Sequence, residues 1–252
     1  MKYMTDSTIR YITLLCVMCI CSAVYGQDVP DTTNTRKSHK LLMRGQKNKY
    51  LDDQLYVGFT YNILTSMPSD VKNYSFSNTL SFGYIRDIPL NKRRNIGIAA
   101  GVGLGYHTYY TNVRMGRDEN GVAFMKVLDD GQYQSNRFSL QTVDIPLQVR
   151  FRGSTAEKFN FWRVYAGLTF SWVYKNSSTF KDENIKVRYY DIPYLNEWLY
   201  SANLQVGYGK FTVKVDYTLG TLFKKKYAGD ALPVSGLSDM RSCNVGLLVY
   251  IL

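Results

Sequence analysis

Few residues in this chain could do chemistry, and their spacing narrows what that chemistry is. His107 is the one histidine in the strongly patterned part of the sequence, and Ser171, Ser201 and Glu197 fall at comparable positions in other patterned segments. A serine nucleophile, a histidine base and an orienting carboxylate are the parts of an acyl-transfer site. No Ser-centred or metal-ligand motif surrounds any of them. Serines and a histidine in a polar interior more often serve as hydrogen-bond filler, so the expectation is a non-enzymatic protein without a cofactor. Metal chemistry lacks ligands as well. The two histidines are His39 and His107, and three of the four cysteines (Cys16, Cys19, Cys21) lie near the N-terminus, which leaves Cys243 alone. A single thiol forms no internal disulfide.

Charged residues form the second chemical set. Asp144, Asp216 and Glu197 share one phase of the alternating segments with Arg150, Arg152, Arg163 and Lys214. Charges on a buried face must pair or be hydrogen-bonded, so these residues are expected to cross-link an enclosed polar interior. Two basic runs stand apart from that phase: Lys92, Arg93 and Arg94, and Lys224, Lys225 and Lys226. With a net charge of +11, the chain suits anionic lipid phosphates or an acidic partner. Lipopolysaccharide is the expected contact of the second run and a periplasmic protein that of the first. Nucleic acid is not an expected partner of an exported chain.

The elements that must position these residues follow from the rest of the sequence. Residues 1–26 read as a secretory signal peptide: Lys2 and Arg10 precede an apolar run, Ile12 through Val24, that ends in small residues. Residues 27–52 are polar and basic with little periodicity, and read as a flexible periplasmic extension. Beyond the leader no apolar stretch reaches the 18 or so residues of a transmembrane helix. A chain that spans a membrane without helices must close into a barrel, because no other structure satisfies every backbone group in lipid.

From residue 53 onward the chain alternates with period 2, which argues strands. The third segment is the clearest: Ile96, Ile98, Ala100, Val102, Leu104 and Tyr106 alternate with Gly97, Ala99, Gly101, Gly103, Gly105 and His107. Gly58, Gly83, Gly167, Gly207, Gly220 and Gly246 share the small, polar phase. Apolar side chains in the opposite phase then point outward, as in an outer-membrane barrel and unlike a soluble β-protein. Eight such segments predict an all-β fold: an eight-stranded antiparallel up-and-down transmembrane β-barrel over residues 53–252 with a filled polar lumen. The expected short turns are 87–95, 153–160 and 209–210, and the expected long loops are 64–74, 111–136, 176–195 and 222–239. Trp162 and Trp172, like Trp198 and Tyr208, stand ten positions apart in the outward phase. Ten tilted residues rise about 25 Å, the height of a membrane's apolar band. Pro146 falls inside a strand where it cannot donate to the ladder, and a local bulge is expected there.

Several stretches resemble the Bacteroidota outer-membrane β-barrel family often called PorT-like. They are residues 55–62 (Leu55-Tyr56-Val57-Gly58-Phe59-Thr60-Tyr61-Asn62), 83–89, the glycine ladder 97–105, 144–150, 161–167 and the ending Tyr250-Ile251-Leu252. The family includes small barrels of the type IX secretion and gliding machinery, of the PorT/SprT and PorG types. The resemblance implies a non-enzymatic outer-membrane barrel that helps assemble or anchor such a complex, in contact with other secretion-complex proteins of the periplasm or outer membrane. A surface-binding or envelope-stabilising barrel acting through its outer loops is the alternative. A lipid-active enzyme or a small porin ranks below both.

Overall fold

The computed structural model describes residues 52–251, apart from 75, 92, 94, 130, 132, 154–161, 209–210 and 228–229. The expected leader and nearly all of the basic extension lie outside these residues. The strands in chain order are β1 (Asp52–Thr65), β2 (Asn78–Pro89), β3 (Ile96–Tyr110), β4 (Val113–Arg117), β5 (Ala123–Val127), β6 (Ser135–Arg152), β7 (Trp162–Lys181), β8 (Lys186–Tyr190), β9 (Trp198–Tyr208), β10 (Phe211–Thr218), β11 (Lys226–Tyr227), β12 (Asp230–Ala231) and β13 (Arg241–Ile251).

Eight of them close into a barrel. The order β6-β3-β2-β1-β13-β10-β9-β7 is antiparallel throughout, and β6 pairs with β7 to complete the ring. Closure leaves no unpaired edge, which lipid would not tolerate. The register also sets the barrel's stagger. From Thr60 the ladder leads through Thr79 and His107 to Leu140 on β6. In the other direction it passes Gly246, Lys214, Gln205 and Tyr165 and arrives at Arg150, ten residues further along that same strand. With strands spaced about 4.8 Å apart and a rise of about 3.3 Å per residue, this shear tilts them by about 40°.

The outward phase is the apolar one. Leu55, Val57, Phe59, Val102, Leu147, Leu204 and Leu247 are all exposed, while Thr60, Asn62, Gln148, Asn203 and Gln205 are buried inside. Trp162 pairs with Tyr208 and Trp172 with Trp198, so the expected aromatics form two cross-strand pairs at opposite ends of the wall. Their rings meet at centroid distances of 5.3 and 6.4 Å, and all four face outward.

Three expectations need correction. The first turn does not begin at residue 87: β2 runs on to Pro89, and Asp87 points into the lumen, fully buried. Pro146 causes no bulge. It stays in register with Thr169 on β7, and the β3–β6 ladder lapses opposite Ile145 and Pro146 but resumes unshifted. A missing N–H thus costs ladder bonds locally without adding a residue. The bulge lies instead between Gln141 and Thr142, opposite Tyr174. Finally, β6 and β7 are 18 and 20 residues long and run on into the loops expected at 111–136 and 176–195.

Candidate functional site

The turn end of the lumen is held by Arg150. Its side chain is fully buried, with Nη1 3.1 Å from Asp87 Oδ2. It also donates from Nη1 to Gln54 Oε1 at 2.9 Å, and from Nε and Nη2 to Gln148 Oε1. The guanidinium lies 4.4 Å from the Tyr165 ring centroid and 5.4 Å from that of Tyr250. Arg152 reaches the same carboxylate oxygen of Asp87, and Arg163 stacks 5.2 Å from Tyr250. A planar guanidinium suits such a place because it satisfies its fork of donors while its face packs on aromatic rings. Asp87, which sequence reading assigned to a turn, is therefore the main countercharge of the expected network.

Above this layer lies a second one. Lys214 and Asp216 alternate onto the same face of β10 and pair at 2.9 Å, and Asp144 borders the same space. His107 is engaged at both ring nitrogens, Nδ1 with Thr79 Oγ1 at 2.9 Å and Nε2 with Thr142 Oγ1 at 3.2 Å. Ser171 and Ser201 do not appear among its hydrogen-bond partners in the described residues. Glu197 is not a lumen residue at all: it is exposed at the loop end and meets Lys224 at 3.4 Å. The cavity between the two layers holds about 30 Å³, roughly the space of one water molecule.

The glycines make room for this packing at chosen points. A Cβ at Gly103 would overlap the Tyr56 hydroxyl, and one at Gly105 would crowd Thr142 and His107. Arg163 lies against Gly207 on β9. On β3, Gly103 and Gly105 thus accommodate Tyr56, Thr142 and His107, and Gly97 lies opposite Arg150.

At the loop end the polarity of the wall inverts. Below Thr142 the outward residues of β6 are Val143, Ile145, Leu147 and Val149; above it they are Arg137 and Gln141, while Phe138 and Leu140 point inward and are buried. Those inward residues join Leu64, Tyr109, Val173 and Leu199 in an apolar core. The long loops supply the rest: Val71, Val113, Met115 and Met125, then Ile192, Tyr194 and Leu195, then Leu222, Phe223, Leu237 and Met240. The loops expected at 111–136 and 176–195 contain the β4–β5 hairpin and β8, which extends the sheet beyond β7. Tyr194 donates to the Ala123 carbonyl at 2.7 Å, and burial pushes its phenol pKa up. The loops are one folded cap with the inside-apolar rule of a soluble protein, seated on a barrel that obeys the lipid rule. The inversion on β6 was legible in residues 137–151 and is the signal that could have revealed the cap.

The basic runs separate. Arg93 is exposed in the β2–β3 turn, and Lys92 and Arg94 lie outside the described residues. Lys225 and Lys226 are exposed beside the cap, while Lys224 is partly covered and paired with Glu197.

A family model described as outer membrane protein beta-barrel domain matches residues 35–221, a span that includes seven of the eight barrel strands. No curated protein shows significant similarity to the chain.

Proposed function

The chain belongs to the outer membrane β-barrel domain family, and on that premise we propose that it is a non-enzymatic structural component of a protein-secretion complex of the type IX kind. The observation that carries this reading is a lumen closed twice. Arg150, Asp87 and the tyrosines fill its turn end, and an apolar cap covers its loop end. A barrel built this way has its walls, turns and cap to work with, so its task is to hold other proteins. The short turns face the periplasm and the long loops face outward, as is the rule for such barrels. The Lys92–Arg94 turn and the basic residues 27–52 then meet periplasmic subunits, and the resemblance to PorT-like barrels points to the same role. His107 is filler in this reading, since its ring nitrogens are engaged by two threonines.

Deletion of the gene tests the proposal. Secreted cargo should accumulate in the periplasm, and the tagged barrel should co-purify with periplasmic proteins from solubilised outer membranes. Normal secretion by the deletion strain would refute it.

The folded cap favours a second reading, a surface-binding barrel. Val122 and Ile185 are exposed apolar residues in the long loops, and their replacement by Ser would abolish binding in that case while leaving secretion intact.

A further inference from the structure

We propose that the outward face of the loop-end rim carries a saccharide-binding cleft for the headgroup of an outer-leaflet glycolipid. The cleft has a volume of about 380 Å³ and is lined by Tyr74, Tyr110, Tyr133, Gln134 and Ser135. That size falls in the range of small-ligand sites, which combine aromatic walls with a few convergent polar groups. The three tyrosines are braced against each other and the wall. Tyr133 donates its hydroxyl to that of Tyr74 at 2.7 Å, with the rings edge to face at 6.4 Å. Tyr110 accepts from Arg137 Nη1 at 2.8 Å, and this guanidinium lies 5.7 Å from its ring centroid. Tyr110 and Arg137 are cross-strand partners on β3 and β6, so one side of the cleft is anchored on the barrel wall, while Tyr74, Tyr133 and Gln134 close it from the adjoining connections.

Position decides the ligand class. Tyr106 is an exposed outward aromatic on β3, at the upper aromatic girdle of the apolar band. Tyr110 lies four residues beyond it, about 10 Å higher along a strand tilted by about 40°. Acyl chains end at the girdle, so the layer at Tyr110 is that of headgroups. Here the wall has already turned polar, with Arg137 and Gln141 outward. A pyranose ring has an apolar C–H face and a rim of hydroxyls. Tyrosine rings match the face, and the Gln134 amide, the Ser135 hydroxyl and the phenols match the rim. Arg137 adds a fork suited to a phosphate on the same headgroup. A glycerophospholipid would use the guanidinium and leave the aromatic wall idle. The site is distinct from the Lys224–Lys226 run and does not depend on a secretion role, only on the loop end facing outward.

The test uses the full barrel in detergent, with rough lipopolysaccharide bearing a phosphorylated core as the probe. Heat-dependent gel mobility checks the fold of each variant. Tyr133→Ala and Tyr110→Ala should each weaken binding about tenfold. Arg137→Gln should weaken it similarly, and clearly less with the dephosphorylated probe, where only its brace on Tyr110 is lost. Tyr133 lies in a connection outside the barrel strands, so its variant tests the cleft even if Tyr110→Ala does not fold. Wild-type affinity in folded Tyr133→Ala and Arg137→Gln would overturn the proposal. So would loss of binding confined to Lys225→Gln/Lys226→Gln, which would place the lipid at the lysines. Dextran, a soluble acyl-free glycan, should not displace the probe, and effective displacement by it would overturn the glycolipid as ligand.

Discussion

Arg150 and Asp87 face each other across the lumen with 3.1 Å between Nη1 and Oδ2 and no exposure on either side chain. They come from β6 and β2, which are not neighbours; β3 runs between them, with Gly97 opposite Arg150 and Ala99 opposite Asp87. The small β3 residues let the two long side chains meet over it. Arg150 therefore acts as a tie across three strands, held from one side by a carboxylate and from the other by Tyr165 and Tyr250.

Breaking that tie should be costly. Asp87→Ala leaves Arg150 buried without its carboxylate, and a change of this kind costs about 3–5 kcal/mol. The triple variant Asp87→Leu/Arg150→Met/Arg152→Met should recover most of the loss, because Arg152 shares the same carboxylate and apolar replacement of a whole buried ionic group is often close to neutral. Urea titration of the vesicle-folded barrel, followed by tryptophan emission, measures both. Equal stability of Asp87→Ala and wild type would refute the tie.

Gly103→Ala should destabilise through overpacking. The new methyl would overlap the Tyr56 hydroxyl, and such crowding costs about 1–3 kcal/mol. Tyr56→Phe in the same chain removes the overlapping oxygen, so the double variant should be more stable than Gly103→Ala alone. Additive losses in the double-mutant cycle would show that the two positions do not touch.

Charge on the outward face should be penalised according to depth. Val102 is exposed on β3, four residues below Tyr106 and hence near the middle of the apolar band. Val102→Lys should cost about 2–4 kcal/mol, and Tyr106→Lys at the interface about 0–1 kcal/mol plus the lost ring packing. A Val102→Lys barrel as stable as wild type in vesicles would mean that this face does not meet lipid.

The cap should open without the barrel. Phe223 is fully buried and packs edge to face with Phe138 at 5.7 Å. Phe223→Ala should cost the cap about 3–5 kcal/mol. Protease added outside intact cells should then cut within residues 111–134, while the barrel keeps its heat-dependent mobility. Cleavage equal to that of wild type would argue that the cap core does not depend on Phe223.

The sequence was legible wherever structure is local. The lipid-facing phase, the eight strands, the short turns against long loops and the outward tryptophans all follow from period-2 alternation, because successive strand residues face opposite sides whatever their partners are. Lumen membership of Asp144, Arg150, Arg152, Arg163, Lys214 and Asp216 is read from that same phase. Who meets whom inside is not local. The pairing of Arg150 with Asp87 depends on the registers that set β2, β3 and β6 side by side, and Glu197 falls on the loop side of its strand for a reason that only the length of β9 shows. The cap is further still from local pattern. Its core draws on Leu64, Met115, Phe138, Ile192, Phe223 and Met240, residues scattered over two barrel strands and three connections with no shared period. Alternation alone determined that this chain is a membrane barrel with a packed polar interior. Only the closed fold decided which charges neutralise each other and that the loops seal the mouth, because both depend on residues brought together by register across the ring.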